Sequence, residues 1–170
     1  MRPAAILFWI RRRFKSRLPQ KTQLKHRNNI AKSKGLLKKL KTFKLPQMLA
    51  YLRKIDPYIF EEILLTAFKE QGKKIERNHN YSGDGGLDGK VYLDGNCYLI
   101  QAKRYTGCIS TEHVMAFDAL ISKEKVAGGL FIHTGRTPKS TRKALRECKS
   151  TTIVSGQKLV DLIQGKPFFR

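Results

Sequence analysis

The sequence predicts an α/β domain in which a mixed central sheet is flanked by helices. Three observations carry that expectation: an apolar stripe at helical spacing after Asp56-Pro57, two short apolar segments on either side of Asp94-Gly95, and strand and helix patterns that alternate from Thr111 to Ile163. Asp56 is a good N-cap and Pro57 fits the first helical position, where a missing N–H costs nothing. Ile59, Phe60, Ile63, Leu64, Ala67 and Phe68 then share one helix face, and Gly72 marks the stop. On that wheel Glu61 sits at the margin of the apolar face and Glu62 points away from it.

Lys74 to Arg77 reads as a first strand, followed by the turn-rich YSGDGG. Lys90 to Leu93 and Cys97 to Lys103 read as a hairpin, because Asp-Gly suits a two-residue turn that needs positive φ. If Leu93 faces Asn96, opposed positions sum to 189, which puts Tyr92 opposite Cys97 and Asp88 opposite Gln101. A three-residue turn would change the parity and set Asp88 against Ala102. Period two places Gln101 and Lys103 on one face of their strand. A helix follows from Thr111 to Ile121, where Val114, Phe117 and Ile121 share a face. Val126 to His133 is a buried strand whose two glycines bring a neighbour close, and Thr137-Pro138 opens a helix carrying Ala144, Leu145 and Cys148. A short strand, Thr151 to Val154, and a helix around Leu159 to Ile163 complete the order, and no internal repeat is present.

Charge divides the chain. Of its 35 Lys and Arg, 17 fall in residues 1–54, which contain no Asp or Glu. We read residues 1–55 as a basic, partly helical N-terminal extension and residues 56–170 as the globular domain, with Asp56, the first acid, at the boundary. A net charge of +22 calls for a polyanion, since basic side chains that neutralise phosphates release counterions. Arg11, Arg12, Arg13, Lys38, Lys39 and Lys41 are chosen as DNA contacts for their density, with a solubilising tail as the plainer reading. The apolar run Pro3 to Ile10 is far short of the roughly 20 residues that span hydrocarbon. Leu36, Leu37, Leu40 and Phe43 among lysines have the spacing of a basic amphipathic helix, which leaves peripheral contact with an anionic lipid surface as the lesser alternative. Cys97, Cys108 and Cys148 match no zinc spacing and fit a reduced, cytoplasmic protein, to which the basic charge adds association with DNA.

The stretch GDGGLDGKVYLDGNCYLIQAKRY, residues 83 to 105, carries the chemistry. Hydrolysing a phosphodiester needs a hard cation to offset the negative oxygens and the poor leaving group, and Mg²⁺ takes oxygen ligands. Asp88 offers a carboxylate, Gln101 a side-chain carbonyl oxygen and Ala102 its backbone carbonyl. Lys103 can orient the attacking water and neutralise charge in the transition state. Glu61, arriving from the first helix, can hold a water beside the cation or help bind a second one. Arg104 and Tyr105, just beyond, either hold the phosphate backbone or pack against the neighbouring helix. His113 reads as an ordinary helix residue, and His133 and Thr134 approach the same sheet edge without being required. The plain alternative is a tight surface loop in which Asp84 and Asp88 bond their own backbone.

Phe60-Glu61 in a first helix, then GDGGLDG, then QAKRY, resembles the catalytic domain of the Mrr-type restriction endonucleases, a branch of the PD-(D/E)XK nuclease superfamily in which glutamine replaces the usual acid. The HVMAF helix and the strand ending FIHTG continue the likeness, which covers about residues 56 to 165. It implies a restriction-endonuclease-like core and a Mg²⁺-dependent DNA endonuclease, Mn²⁺ substituting, that leaves 5′-phosphate and 3′-hydroxyl ends. Glu61, Asp88 rather than Asp84, Gln101 and Lys103 match the family's catalytic positions. The resemblance does not extend to the winged-helix reader of full-length relatives, since residues 1–55 are too short and lysine-rich. A branched-DNA resolvase and a non-catalytic DNA-binding protein on the same fold stand as alternatives. A homodimer fits double-strand cleavage by resemblance, and a nicking monomer fits the motifs equally.

Overall fold

The computed structural model describes residues 20–78 and 86–168. The chain enters with two helices, α1 (Gln20–Leu40) and α2 (Leu45–Leu52), followed by α3 (Pro57–Glu70) and three antiparallel strands, β1 (Lys74–Arg77), β2 (Gly89–Leu93) and β3 (Asn96–Lys103). Helix α4 (Thr111–Glu124), strand β4 (Gly128–His133), helix α5 (Lys139–Ala144), strand β5 (Thr151–Val154) and helix α6 (Gln157–Gln164) complete it. The five strands lie in sequence order. β1 to β3 pair antiparallel, and β4 and β5 join β3 in parallel. The sheet is therefore mixed and flanked by helices.

Local signals explain the boundaries. The Asp56 carboxylate accepts from the amides of Tyr58 and Ile59 at 2.9 and 3.3 Å, filling two of the donors that open α3. Asp94 and Gly95 both take positive φ, 49° and 82°, so the hairpin turn has two residues and Tyr92 faces Cys97 as the register requires. The helix opened by Thr137-Pro138 is shorter than its sequence pattern: α5 stops at Ala144, a 3-10 turn spans Leu145–Glu147, and buried Cys148 lies beyond both.

Alternation along the strands creates two cores. Leu99 and Phe131 face Val114, Phe117 and Ile121 of α4. A Cβ on Gly129 would run into Phe117 and Ile121, so the glycine lets that helix sit against the sheet. On the opposite face Val91, Leu93, Ile100, Ala102, Leu130, Ile132 and Val154 pack with α3 and α6.

That second core also takes in Leu37, Leu40, Phe43, Met48 and Leu52. Burying each of Leu37 and Leu40 completely stabilises the fold by about 2–3 kcal/mol, so the lysine-rich α1 is fastened along its apolar side. This placement corrects the helical-wheel expectation for Glu62. Its side chain is 2% exposed, because α1 covers the flank of α3 that the wheel assigned to solvent. Glu62 Oε2 accepts from Arg77 Nε at 2.8 Å and Oε1 lies 3.5 Å from His26 Nδ1. One turn on, the hydroxyls of Ser33 and Thr66 meet at 3.0 Å. At the carboxyl end of α1, Lys41 pairs with Glu70 at 2.7 Å. The contacts advance together along both helices, so α1 and α3 run in the same direction.

Candidate active site

The candidate residues meet where β3 ends, β2 begins and α3 starts. The β2–β3 ladder closes at Gly89 opposite Ile100. One residue earlier, the Asp88 amide donates to the Ile100 carbonyl at 2.9 Å, and its carboxylate Oδ2 accepts from the Ala102 amide at 2.5 Å. Asn78 steadies the approach by donating from Nδ2 to the Leu87 carbonyl at 2.9 Å.

Gln101 is buried and Lys103 is half-buried. Both side chains pass Gly86, whose φ is +85°. A Cβ there would fall on Gln101 Nε2 and within 3.5 Å of Lys103 Nζ. The glycine keeps open a cradle bounded by an amide and an ammonium, and the same amide presents its carbonyl oxygen if the planar group turns over.

The electrostatics identify the neighbours. Burial pushes the Glu61 carboxyl up to about 8, and the negative charges of Asp88 and then Glu62 push the same way, against Lys103. Burial likewise raises Asp88 to about 7, opposed by the Ala102 amide and by Lys103. Lys103 thus acts on both acids, and Asp88 on Glu61. Two partly buried carboxylates that resist ionisation together make a place where a cation is favoured. Among the described residues no three of His, Cys, Asp and Glu gather as a metal-binding group. The donor set suits a hard ion instead, since Mg²⁺ takes one or two carboxylates and completes its shell with neutral oxygens and water.

Other sequence-derived residues have different surroundings. Arg104 donates from Nη1 to the carbonyls of Arg53 and Ile55. Arg53 in turn donates to the Thr134 carbonyl at 3.1 and 2.8 Å. The two arginines tie the segment leading into α3, and with it Glu61, to the ends of β3 and β4. The Thr134 hydroxyl binds both the amide and the carbonyl of Tyr105 at 3.0 Å. Tyr105 Oη lies 2.6 Å from His113 Nδ1, which gives that histidine a partner beside the site. His133 stands next to Lys103 in the β3–β4 register but is buried, and burial lowers its pKa to about 4. Its Nδ1 accepts from the Gly135 amide at 3.2 Å, so the ring is a neutral structural element.

Lys38, Lys39 and Lys41 lie at the far end of α1. Lys41 is held by Glu70, and Lys39 sits over the rings of Phe43 and Tyr51. Arg11, Arg12, Arg13, Asp84 and the apolar run Pro3 to Ile10 fall outside the described residues. Among the described residues no helix is long and apolar enough to cross a membrane. Sequence reasoning missed Gly86, Arg53 and the Glu62–Arg77–His26 group. Gly86 stood in the quoted GDGG, but only the folded loop shows which side chains pass it.

No curated protein matches the chain. A solved structure, the MspJI restriction endonuclease in complex with a 27-mer oligonucleotide, matches with a TM-score of 0.53 and 20% identity, over 71% of this chain and 30% of that one. At that identity the likeness establishes the fold, and the chain spans less than a third of that protein's length. Residues 52–163, well over half of the chain, match the family model Mrr_cat, described as restriction endonuclease. The chain therefore belongs to the Mrr-type restriction endonuclease family, with the mixed, helix-flanked sheet of the PD-(D/E)XK nucleases.

Proposed function

We propose that this protein is a Mg²⁺-dependent endonuclease of DNA. The observation that carries the reading is the meeting of Glu61, Asp88 and Lys103 at one sheet edge, where two acids are driven to about 8 and 7 while sharing one ammonium. Asp88, Gln101 through its side-chain oxygen and Ala102 through its carbonyl would hold the cation. The cation, when bound, supplies Lewis acidity toward the scissile phosphate and stabilises the leaving oxygen.

The chain's own residues do the rest. Lys103 donates to the attacking water and to a non-bridging phosphate oxygen, placing the first in line and neutralising charge that grows on the second. Glu61 accepts from a water beside the cation and keeps it oriented. The water oxygen forms a bond to phosphorus and the bond to O3′ breaks. The water's proton passes to solvent and the departing oxygen takes one up, leaving a 5′-phosphate and a 3′-hydroxyl. Arg104 and Arg53, by fixing the entry to α3, hold Glu61 in register with Asp88.

Supercoiled plasmid, methylated and unmethylated, and a synthetic four-way junction, each with Mg²⁺, Mn²⁺ or EDTA, test the reading. Metal-dependent cutting that is lost in Asp88→Ala supports it, and the preferred substrate separates restriction from junction resolution. DNA binding without cutting of any substrate in either metal would instead favour a non-catalytic DNA-binding protein.

A further inference from the structure

The basic charge of α1 is not equivalent along its length. Because α1 and α3 run in the same direction, the two ends of α1 stand at opposite ends of the catalytic helix. Lys25 lies over the ring of Tyr58, in the first turn of α3, at 5.2 Å, and His26 reaches Glu62, the neighbour of Glu61. The other end of α1 is level with Glu70, nine residues and about 13 Å further along α3. The amino-terminal half is therefore level with the start of α3, the end that carries Glu61, and the carboxyl-terminal half is level with its other end.

Position, rather than engagement, separates the two ends. Lys25 and Arg27 are exposed, and among the described residues neither forms an ion pair; Lys25 rests on the Tyr58 ring much as Lys39 rests on Phe43 and Tyr51. Lys38 is likewise exposed and outside any ion pair among the described residues, and Lys41 is neutralised by Glu70. The chain joins α1 through Gln20, and the 19 residues before it contain six Lys or Arg and no acid. Exposed cations level with the end of α3 that carries Glu61 suit a ligand whose phosphates flank the reacting group on a long polyanion.

Resting on the nuclease reading, we propose that Lys25 and Arg27 form a phosphate rail on which the DNA backbone lies as it approaches the cleavage site, and that the lysines at the other end of α1 take no part. Each backbone contact contributes about 0.9 to the slope of log K against log salt, and roughly tenfold in affinity at 0.1 M salt.

The test uses the full chain, because Leu37, Leu40 and Met48 belong to the core and removal of the basic segment would open it. Binding to a labelled duplex of about 25 base pairs, longer than one helical turn, is followed by fluorescence anisotropy in EDTA across a salt series. The parent is compared with Lys25→Ala/Arg27→Ala, with Lys38→Ala/Lys39→Ala, which removes the same charge, and with Lys25→Arg/Arg27→Lys. The rail predicts a slope lowered by about 2 in the first pair, near-parental behaviour in the second, and recovery in the third. Equal losses in the two alanine pairs, or a larger loss in the second, overturn the rail while leaving the nuclease reading intact. A parent that shows no salt-dependent binding overturns both.

Discussion

Removing the carboxylate of Glu62 while keeping Arg77 tests how α1 is held to α3. Glu62 is 2% exposed and the Arg77 side chain 16%, with 2.8 Å between Nε and Oε2. Arg77 Nη2 reaches Thr66 Oγ1 at 3.4 Å, and His26 is the other group facing the carboxylate. Glu62→Leu leaves a guanidinium in a poorly solvated seam, and breaking such a pair from one side costs about 3–5 kcal/mol. The residual exposure of Arg77 puts the expected loss at the lower end, about 3 kcal/mol, a hundredfold or more in the folded-to-unfolded ratio. Replacing both partners, in Glu62→Leu/Arg77→Met, removes the stranded charge and should return stability to within about 1 kcal/mol of the parent. Urea unfolding of the metal-free protein at pH 7 gives these values, with an unchanged slope confirming that the native state is equally compact. A loss below about 1 kcal/mol in Glu62→Leu, or a double variant no better than the single, would refute the account of this seam.

Further predictions follow from the site. Gly86→Ala should lower cleavage, because the new Cβ falls on Gln101 Nε2 and the residue must hold a φ of +85°, while circular dichroism still reports a folded chain. A variant that cuts normally would remove the cradle from the account. The folded values of Glu61 and Asp88, about 8 and 7, lie above their ordinary 4.5 and 3.8, so the native state binds these protons more tightly than the unfolded chain does. Their contribution is complete below about pH 4 and is lost as pH rises through 7 to 8. Without metal, Tm should therefore fall from pH 5.5 to 8.5, less steeply in Asp88→Asn. Added Mg²⁺ should raise Tm more at pH 8.5 than at 5.5, since metal and protons compete for the same oxygens. A Mg²⁺ effect independent of pH would exclude these carboxylates as its site. Arg104→Ala should lower cleavage more than DNA affinity, because Arg104 holds the entry to α3; an affinity loss with unchanged turnover would make it a DNA contact instead.

What the sequence made legible was local. The Asp56 cap, the Asp94-Gly95 turn and the period of β3 depend on neighbours a few residues away, and from them the hairpin register and the shared side of Gln101 and Lys103 could be counted. The ladder stops one residue before Asp88, and there the counted pairing yields to a carboxylate bonded to the Ala102 amide. α1 was legible only at its end. Its buried side runs Ser33, Leu37, Leu40 among lysines, and a serine in the stripe hides the period until Thr66 is seen opposite it. The error over Glu62 follows from the same cause, since a helical wheel describes one helix and burial depends on what covers it. Charge density selected Lys38, Lys39 and Lys41 without regard to which end of α3 they would reach. For Arg104 the sequence left phosphate binding and packing equally open, because the carbonyls it serves, those of Arg53 and Ile55, are some 50 residues away in sequence.

The most direct measurement is single-turnover cleavage of a labelled duplex in Mg²⁺ by the parent and by Lys103→Ala at saturating protein, with DNA affinity measured in parallel in EDTA. The account predicts a rate lowered by about a hundredfold or more, the usual reach of a group that positions and polarises a nucleophile. Affinity should change by less than about tenfold, the most that one lost phosphate contact explains at 0.1 M salt. Cleavage by Lys103→Ala at the parental rate would contradict the assignment of the β3 edge as the catalytic centre.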